Sequence, residues 1–145
     1  MKSLTILKAG TIVLAVSLGF SPAFAGGSSV SIEQYGYDNG IGGYQKGKRN
    51  KLTVYQNGRG NTVIGTQEGT RNLSVFGQQG VRNTAKAYQV GRGNIVGVAQ
   101  FGRDHSAVVS QDGNGNAVGI IQAGRGNSAK TRQIGAGNVS VIVQD

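Results

Sequence analysis

Residues 78–100 read QQGVRNTAKAYQVGRGNIVGVAQ, and three features of this stretch decide the fold. Glutamine stands at Gln78, Gln89 and Gln100; glycine follows two places later at Gly80 and Gly91; asparagine follows five places later at Asn83 and Asn94. Worked outward, the same register covers the chain from residue 34 to residue 144. Glutamine recurs at a spacing of 11 as Gln34, Gln45, Gln56, Gln67, Gln78, Gln89, Gln100, Gln111, Gln122, Gln133 and Gln144. The companion asparagines are Asn39, Asn50, Asn61, Asn72, Asn83, Asn94, Asn116, Asn127 and Asn138, with His105 standing in the one place that lacks asparagine. A fixed period of this kind is the signature of a repeat architecture and has to be read before any single element.

Between each asparagine and the next glutamine, the positions two and four after the asparagine are mostly apolar, as in Leu52 and Val54 or Val118 and Ile120. Asparagine, apolar, apolar, glutamine at steps of two is the period of a β-strand and puts all four side chains on one face. The intervening positions are mixed and suit an outer face. The segment after each glutamine, rich in Gly, Asn, Asp and Arg, has the composition of a tight turn. Each unit of 11 is therefore expected to be a strand and a turn.

A longer period overlies the first. Alternate units carry bulky inner residues (Leu52/Val54, Ser74/Phe76, Val96/Val98), and those between carry small ones (Val63/Gly65, Ala85/Ala87, Ala107/Val109). The repeat is thus 22 residues. The expected fold is all-β: a β-solenoid of parallel cross-β type, with about five strand-turn-strand-turn coils at ~4.8 Å each and two facing sheets. Stacked Gln and Asn columns are expected to pass amide hydrogen bonds from rung to rung, satisfying groups that would be costly to bury alone.

Composition excludes most chemistry. The 145 residues include 26 Gly against a usual ~7%, no Cys and no Trp, so disulfides, zinc-thiolate centres and thiol nucleophiles are ruled out. Six acids and one histidine leave little for acid-base or metal work, and no catalytic residue, cofactor or metal ligand is assigned. Asp104-His105-Ser106 holds the residue types of a hydrolase triad, but a triad converges from separate segments. Gly58-Arg59-Gly60 and Gly91-Arg92-Gly93 lack the following helix that phosphate-binding loops use. Both are read as turns.

Residues 1–25 read as a secretory signal: Lys2 and Lys8, an apolar run from Ala9 to Phe20, then Ala23-Phe24-Ala25 as a small-x-small cleavage site. Residues 26–145 form the repeat domain, and losing the two lysines takes the net charge from +9 to +7. Much of that charge lies in turns. Arg49 over Arg71 and Arg103 over Arg125 are the candidate contacts for a polyanion such as extracellular DNA or acidic polysaccharide.

The pattern Ser-x5-Gln-x-Gly-x2-Asn-x-Ala-x3-Gln resembles the curlin repeat of bacterial curli, the extracellular functional amyloid. Ser28, Gln34, Gly36, Asn39 and Gln45 match its first copy, and Gln78, Gly80, Asn83, Ala85 and Gln89 match a later one with the alanine included. Asn50, Asn72, Asn94 and Asn116 replace the serine in later copies, and Ile41 and Val63 replace the first two alanines. Only Gly26 and Gly27 stand where the family's major subunit has a long Gly/Asn-rich leader, and the basic charge is closer to the family's nucleator. The resemblance implies a structural, non-enzymatic subunit of a secreted cell-surface fibre in adhesion and biofilm matrix. Its partners would be further copies of itself, a companion curlin and the curli secretion machinery, with no small-molecule substrate. The alternatives are the nucleator subunit and a monomeric secreted solenoid that binds polyanions. Soluble solenoids protect their ends with irregular polar caps, and none is read in this sequence, which favours the fibre.

Overall fold

A computed structural model describes residues 26–145, so the expected signal segment lies outside the described residues. The chain winds through eleven strands: β1 (Ser29–Tyr37), β2 (Gly40–Lys48), β3 (Lys51–Arg59), β4 (Thr62–Thr70), β5 (Leu73–Val81), β6 (Thr84–Arg92), β7 (Ile95–Arg103), β8 (Ser106–Asn114), β9 (Ala117–Arg125), β10 (Ser128–Ala136) and β11 (Val139–Gln144). Each strand pairs in parallel with the strand two further on. One sheet is β1-β3-β5-β7-β9-β11 and the other β2-β4-β6-β8-β10. The register never slips: Gln34 faces Gln56, Gln78 faces Gln100, and Gln45 faces Gln67. The fold is the all-β solenoid of about five 22-residue turns expected from the repeat.

The turns differ from expectation. Strands β1 to β10 run nine residues, through the glycine and one residue beyond it, and only two residues bend the chain between strands. The glycine makes this possible. At Gly58, φ is 131°, a backbone state that lets the strand curve toward the next sheet without breaking its ladder. The close stacking of rungs is as restrictive: a Cβ on Gly58 would fall inside the carbonyl oxygen of Gly80, the equivalent glycine one coil on.

The core is a single column of apolar side chains between the sheets, built from Leu52, Val54, Phe76, Val96, Val98, Val118 and Ile120 on one side and Ile41, Val63, Ala85, Ala87, Ala107, Val109 and Ala129 on the other. Large and small residues complement each other across it. Leu52 fills the space that side chains at Gly43 and Gly65 would need, and Phe76 also reaches toward Gly65. Sheet separation is kept even in this way, with most of the bulk supplied from the odd-numbered strands.

Candidate functional site: two amide columns and two charged turn edges

Eight of the core-facing glutamines, Gln56 through Gln133, are buried, and so are Asn50, Asn61, Asn72, Asn83, Asn94, Asn116 and His105. Burial of so many amides is tolerable only if each is bonded. The glutamines do this in two directions. Gln78 Nε2 donates to Gln100 Oε1 on the next rung at 2.7 Å, and also to the carbonyl of Thr62 at the start of β4 in the opposite sheet at 3.1 Å. The same double bond recurs from Gln45, whose Nε2 reaches Gln67 Oε1 and Ser29 O, to Gln122, whose Nε2 reaches Gln144 Oε1 and Ser106 O. Gln34 enters the ladder by donating to Gln56 Oε1. From Gln45 onward each glutamine therefore links rung to rung and sheet to sheet at once.

The asparagines work differently from the amide-to-amide ladder expected of them. Asn72 Oδ1 accepts from the backbone N–H of Asn94 at 3.0 Å, while its Nδ2 donates to the carbonyls of Glu68 and Gly91. Direct amide-to-amide bonds occur at Asn61 to Asn39 and Asn138 to Asn116. The physical reason is reach. The asparagine side chain is one methylene shorter than that of glutamine and sits where the strand bends, so the nearest free groups are the backbone N–H and C=O of the turn. The column clamps each turn onto the turn above it.

His105 fills its place in that column by two of the asparagine's bonds. Its Nδ1 accepts from Asn127 N–H at 3.2 Å, as an asparagine Oδ1 would, and its Nε2 lies 3.1 Å from the carbonyl of Phe101, where an asparagine Nδ2 would donate. This pairing requires the neutral tautomer with the proton on Nε2. Both ring nitrogens are thus engaged with backbone, and Asp104 is bonded to Arg82, so Asp104, His105 and Ser106 form no relay.

Ser74 is a contributor that the repeat pattern does not announce. It occupies an inner apolar position of β5, where its Oγ donates to Gln89 Oε1 at 2.8 Å and accepts from Gln67 Nε2 at 3.2 Å. A hydroxyl among valines in that column, beside the oversized Phe76, is the signal that could have found it.

The four candidate arginines stand as the two stacked pairs expected, one pair on each edge. Arg49 and Arg71 lie on the edge formed by the turns after even-numbered strands, where Arg71 N–H donates to Lys48 O, and Arg92 continues that edge at the end of β6. Arg103 and Arg125 lie on the opposite edge, one rung apart. There the charge is compensated. Arg82 Nε stands 2.7 Å from Asp104 Oδ1, Arg125 Nε 3.8 Å from Asp104 Oδ2, and Arg59 Nε 3.7 Å from Asp38. The hydrogen bond from Arg82, aided by the charges of Arg82, Arg125 and Arg103, holds the Asp104 carboxyl below the usual carboxylate range against the upward push of its partial burial. Among the described residues no ion pair involves Lys48, Arg49, Arg71 or Arg92. Arg49 and Arg71 also hold left-handed backbone angles, φ 56° and 61°, at a position where later rungs of the same edge use Gly93, Gly115 and Gly137.

A family model described as the curlin associated repeat matches residues 80–113, which span β6 and β7 together with most of β8. This segment is similar to a curlin repeat. The match falls within the register, and the same Gln, Gly and Asn columns continue on both sides of it in unbroken pairing. No curated protein matches the chain. A curlin repeat on a β-solenoid fits a curli-type structural protein, and the curlin family is structural and not enzymatic. Among the described residues no group of three or more His, Asp or Glu is placed to hold a metal ion, and no helix is long and apolar enough to cross a membrane.

Proposed function

We propose that this chain is the structural subunit of an extracellular amyloid fibre, grown by stacking the strands of one copy on those of the next, and that the fibre serves cell adhesion and biofilm matrix. The observation that carries this reading is the polarity of the glutamine ladder. Every rung-to-rung bond runs from the Nε2 of one glutamine to the Oε1 of the glutamine 22 residues later, as from Gln34 to Gln56 and from Gln122 to Gln144. At one end of the described solenoid the Oε1 acceptors of Gln34 and Gln45 therefore face outward. At the other, Gln133 and Gln144 carry Nε2 donors whose bonds go only to Ala117 O and Ser128 O. Head-to-tail stacking joins donor to acceptor, whereas head-to-head stacking sets acceptor against acceptor. The strand edges at both ends are likewise open to a further parallel strand.

The reading is tested by adding sonicated fibres to soluble chain residues 26–145 at tens of micromolar. Growth without a lag, from one end of each seed, is the expected result. A chain that stays a monomer with an unchanged far-UV spectrum for days overturns it. A companion curlin and the curli secretion machinery belong to the same proposal as partners.

A second reading, of a polyanion-binding surface, has its own support in the edge that holds Lys48, Arg49, Arg71 and Arg92 without an ion-pair partner. Arginine in a left-handed turn costs about 1–2 kcal/mol where glycine would not, and two rungs retain it. Replacing both by glycine (Arg49→Gly, Arg71→Gly) should flatten the salt dependence of heparin binding by about two units of slope, near 0.9 per phosphate-like contact. An unchanged slope removes this reading and leaves the fibre untouched.

A further inference from the structure

The outer faces of the two sheets are unlike. On the sheet of even-numbered strands the outward positions carry Thr62, Lys86, Ser110, Lys130 and Arg132 among others. The outward positions of the other sheet, from β5 onward, carry nothing polar in their first three columns. In β5 these are Leu73, Val75 and Gly77, and in β7 Ile95, Gly97 and Ala99. β9 places Ala117, Gly119 and Ile121 there, and β11 Val139, Val141 and Val143. The larger ones are open to solvent: Ile95 is 48% exposed, Ile121 45% and Val143 64%. Gly97 and Gly119 have nothing within reach of an added Cβ, so the middle column is hollow at β7 and β9, between the exposed Val75 and Val141.

We infer that this face is a lateral docking surface for a second copy of the same chain, so that two stacked solenoids pair into one fibre. The inference rests on the stacking proposed above. Two filaments that grow in the same direction and meet through this sheet are related by a two-fold axis parallel to growth. That axis brings each strand against its own counterpart, antiparallel, and reverses the order of the columns. Leu73 then opposes Gly77 of the second copy, Ile95 opposes Ala99, and Ala117 opposes Ile121. Each of these rungs sets a large residue against a small one; in β11 Val139 opposes Val143, and the middle column meets itself, Gly97 to Gly97 and Gly119 to Gly119 between pairs of Val75 and of Val141. A face with this self-complementarity forms a dry interdigitated interface of the kind that joins sheets in cross-β assemblies.

Area explains why pairing would follow stacking and not precede it. Four strands at ~4.8 Å by five residues at ~3.3 Å give roughly 300 Å² per copy, well under the ~800 Å² per partner of a stable interface. Three stacked copies bring the apolar area to about that size, as three bands separated by the β1 and β3 rungs with Ser29, Ser31, Glu33, Lys51 and Thr53. Single copies stay apart, and short filaments pair.

The experiment measures mass per length of assembled fibres by electron microscopy. The parent should give two solenoids per cross-section. Ile95→Lys should halve the mass per length while keeping the ~4.8 Å rung repeat, and Tyr88→Lys, on the exposed face of the other sheet, should leave it at two. Ile95→Lys combined with Ala99→Glu should restore two, because lysine and glutamate then oppose each other across the two-fold. Parent fibres one solenoid wide, or Ile95→Lys fibres that stay two wide, overturn the pairing while stacking stands, and so does failure of Ala99→Glu to restore it. Absence of fibres in the parent overturns both.

Discussion

Gln89→Leu tests whether the amide columns hold the fold. Gln89 makes four buried or partly buried bonds: its Nε2 donates to Gln111 Oε1 (3.1 Å) and Leu73 O (3.0 Å), and its Oε1 accepts from Gln67 Nε2 (2.9 Å) and Ser74 Oγ (2.8 Å). Leucine keeps roughly the volume and removes every bond. Gln67 Nε2 is still held by Lys51 O and Ser74 Oγ, but Gln111 Oε1, Leu73 O and the Ser74 hydroxyl each lose a partner. At about 1–3 kcal/mol for each buried group left short, the low end alone is ~3 kcal/mol, and the extra apolar burial of leucine offsets ~1 kcal/mol. A net loss of about 2–3 kcal/mol raises the soluble concentration in equilibrium with fibres roughly 30- to 150-fold. Sedimentation of fibres followed by assay of the supernatant reads this directly. Gln79→Leu, at the exposed neighbour of Gln78, should stay within about 0.5 kcal/mol of the parent. A Gln89→Leu supernatant within threefold of the parent refutes the reasoning.

Three other outcomes follow from the same geometry. Gly91→Ala should block folding of its coil, because the new Cβ would meet the carbonyl of Gly113 on the adjacent rung and the backbone stands at φ 111°; loss of the β-sheet far-UV signal checks it. Thr131 Oγ1 is buried without a hydrogen-bond partner, so Thr131→Val should stabilise by about 1 kcal/mol, seen as a lower soluble concentration. The Asp104 carboxyl, held low in the folded state by Arg82, contributes stability that is present above the ordinary carboxylate range near ~3.9 and lost as pH falls through its lowered value. Stability measured against pH should therefore fall more steeply in acid for the parent than for Asp104→Asn, and salt should blunt the difference because the pair is exposed.

Much of this architecture is legible in the sequence because each repeated residue is fixed by contact with its own copy one coil away. Gln78 must meet Gln100, and Gly80 must leave room for Gly102, so a slip of one residue would break every rung. What was not legible depends on bond geometry or on which sheet a position joins. Composition marks Gly80-Val81-Arg82 as a turn, yet the strand runs on to Val81, since glycine at positive φ bends a ladder without ending it. The Asn column reads as a second amide ladder, but side-chain reach turns it toward backbone. Outer positions look mixed when all units are pooled. Sorted by sheet, the odd-numbered strands from β5 onward lose their polar outer residues, with Ile95 and Ile121 there against Lys86 and Arg132 on the other face.

X-ray diffraction from aligned fibres of residues 26–145 tests the central claim most directly. Strands stacked along the growth axis should give a meridional reflection near 4.8 Å and an equatorial one near 10 Å. A 4.8 Å reflection on the equator would place the strands along the fibre and contradict growth by rung upon rung.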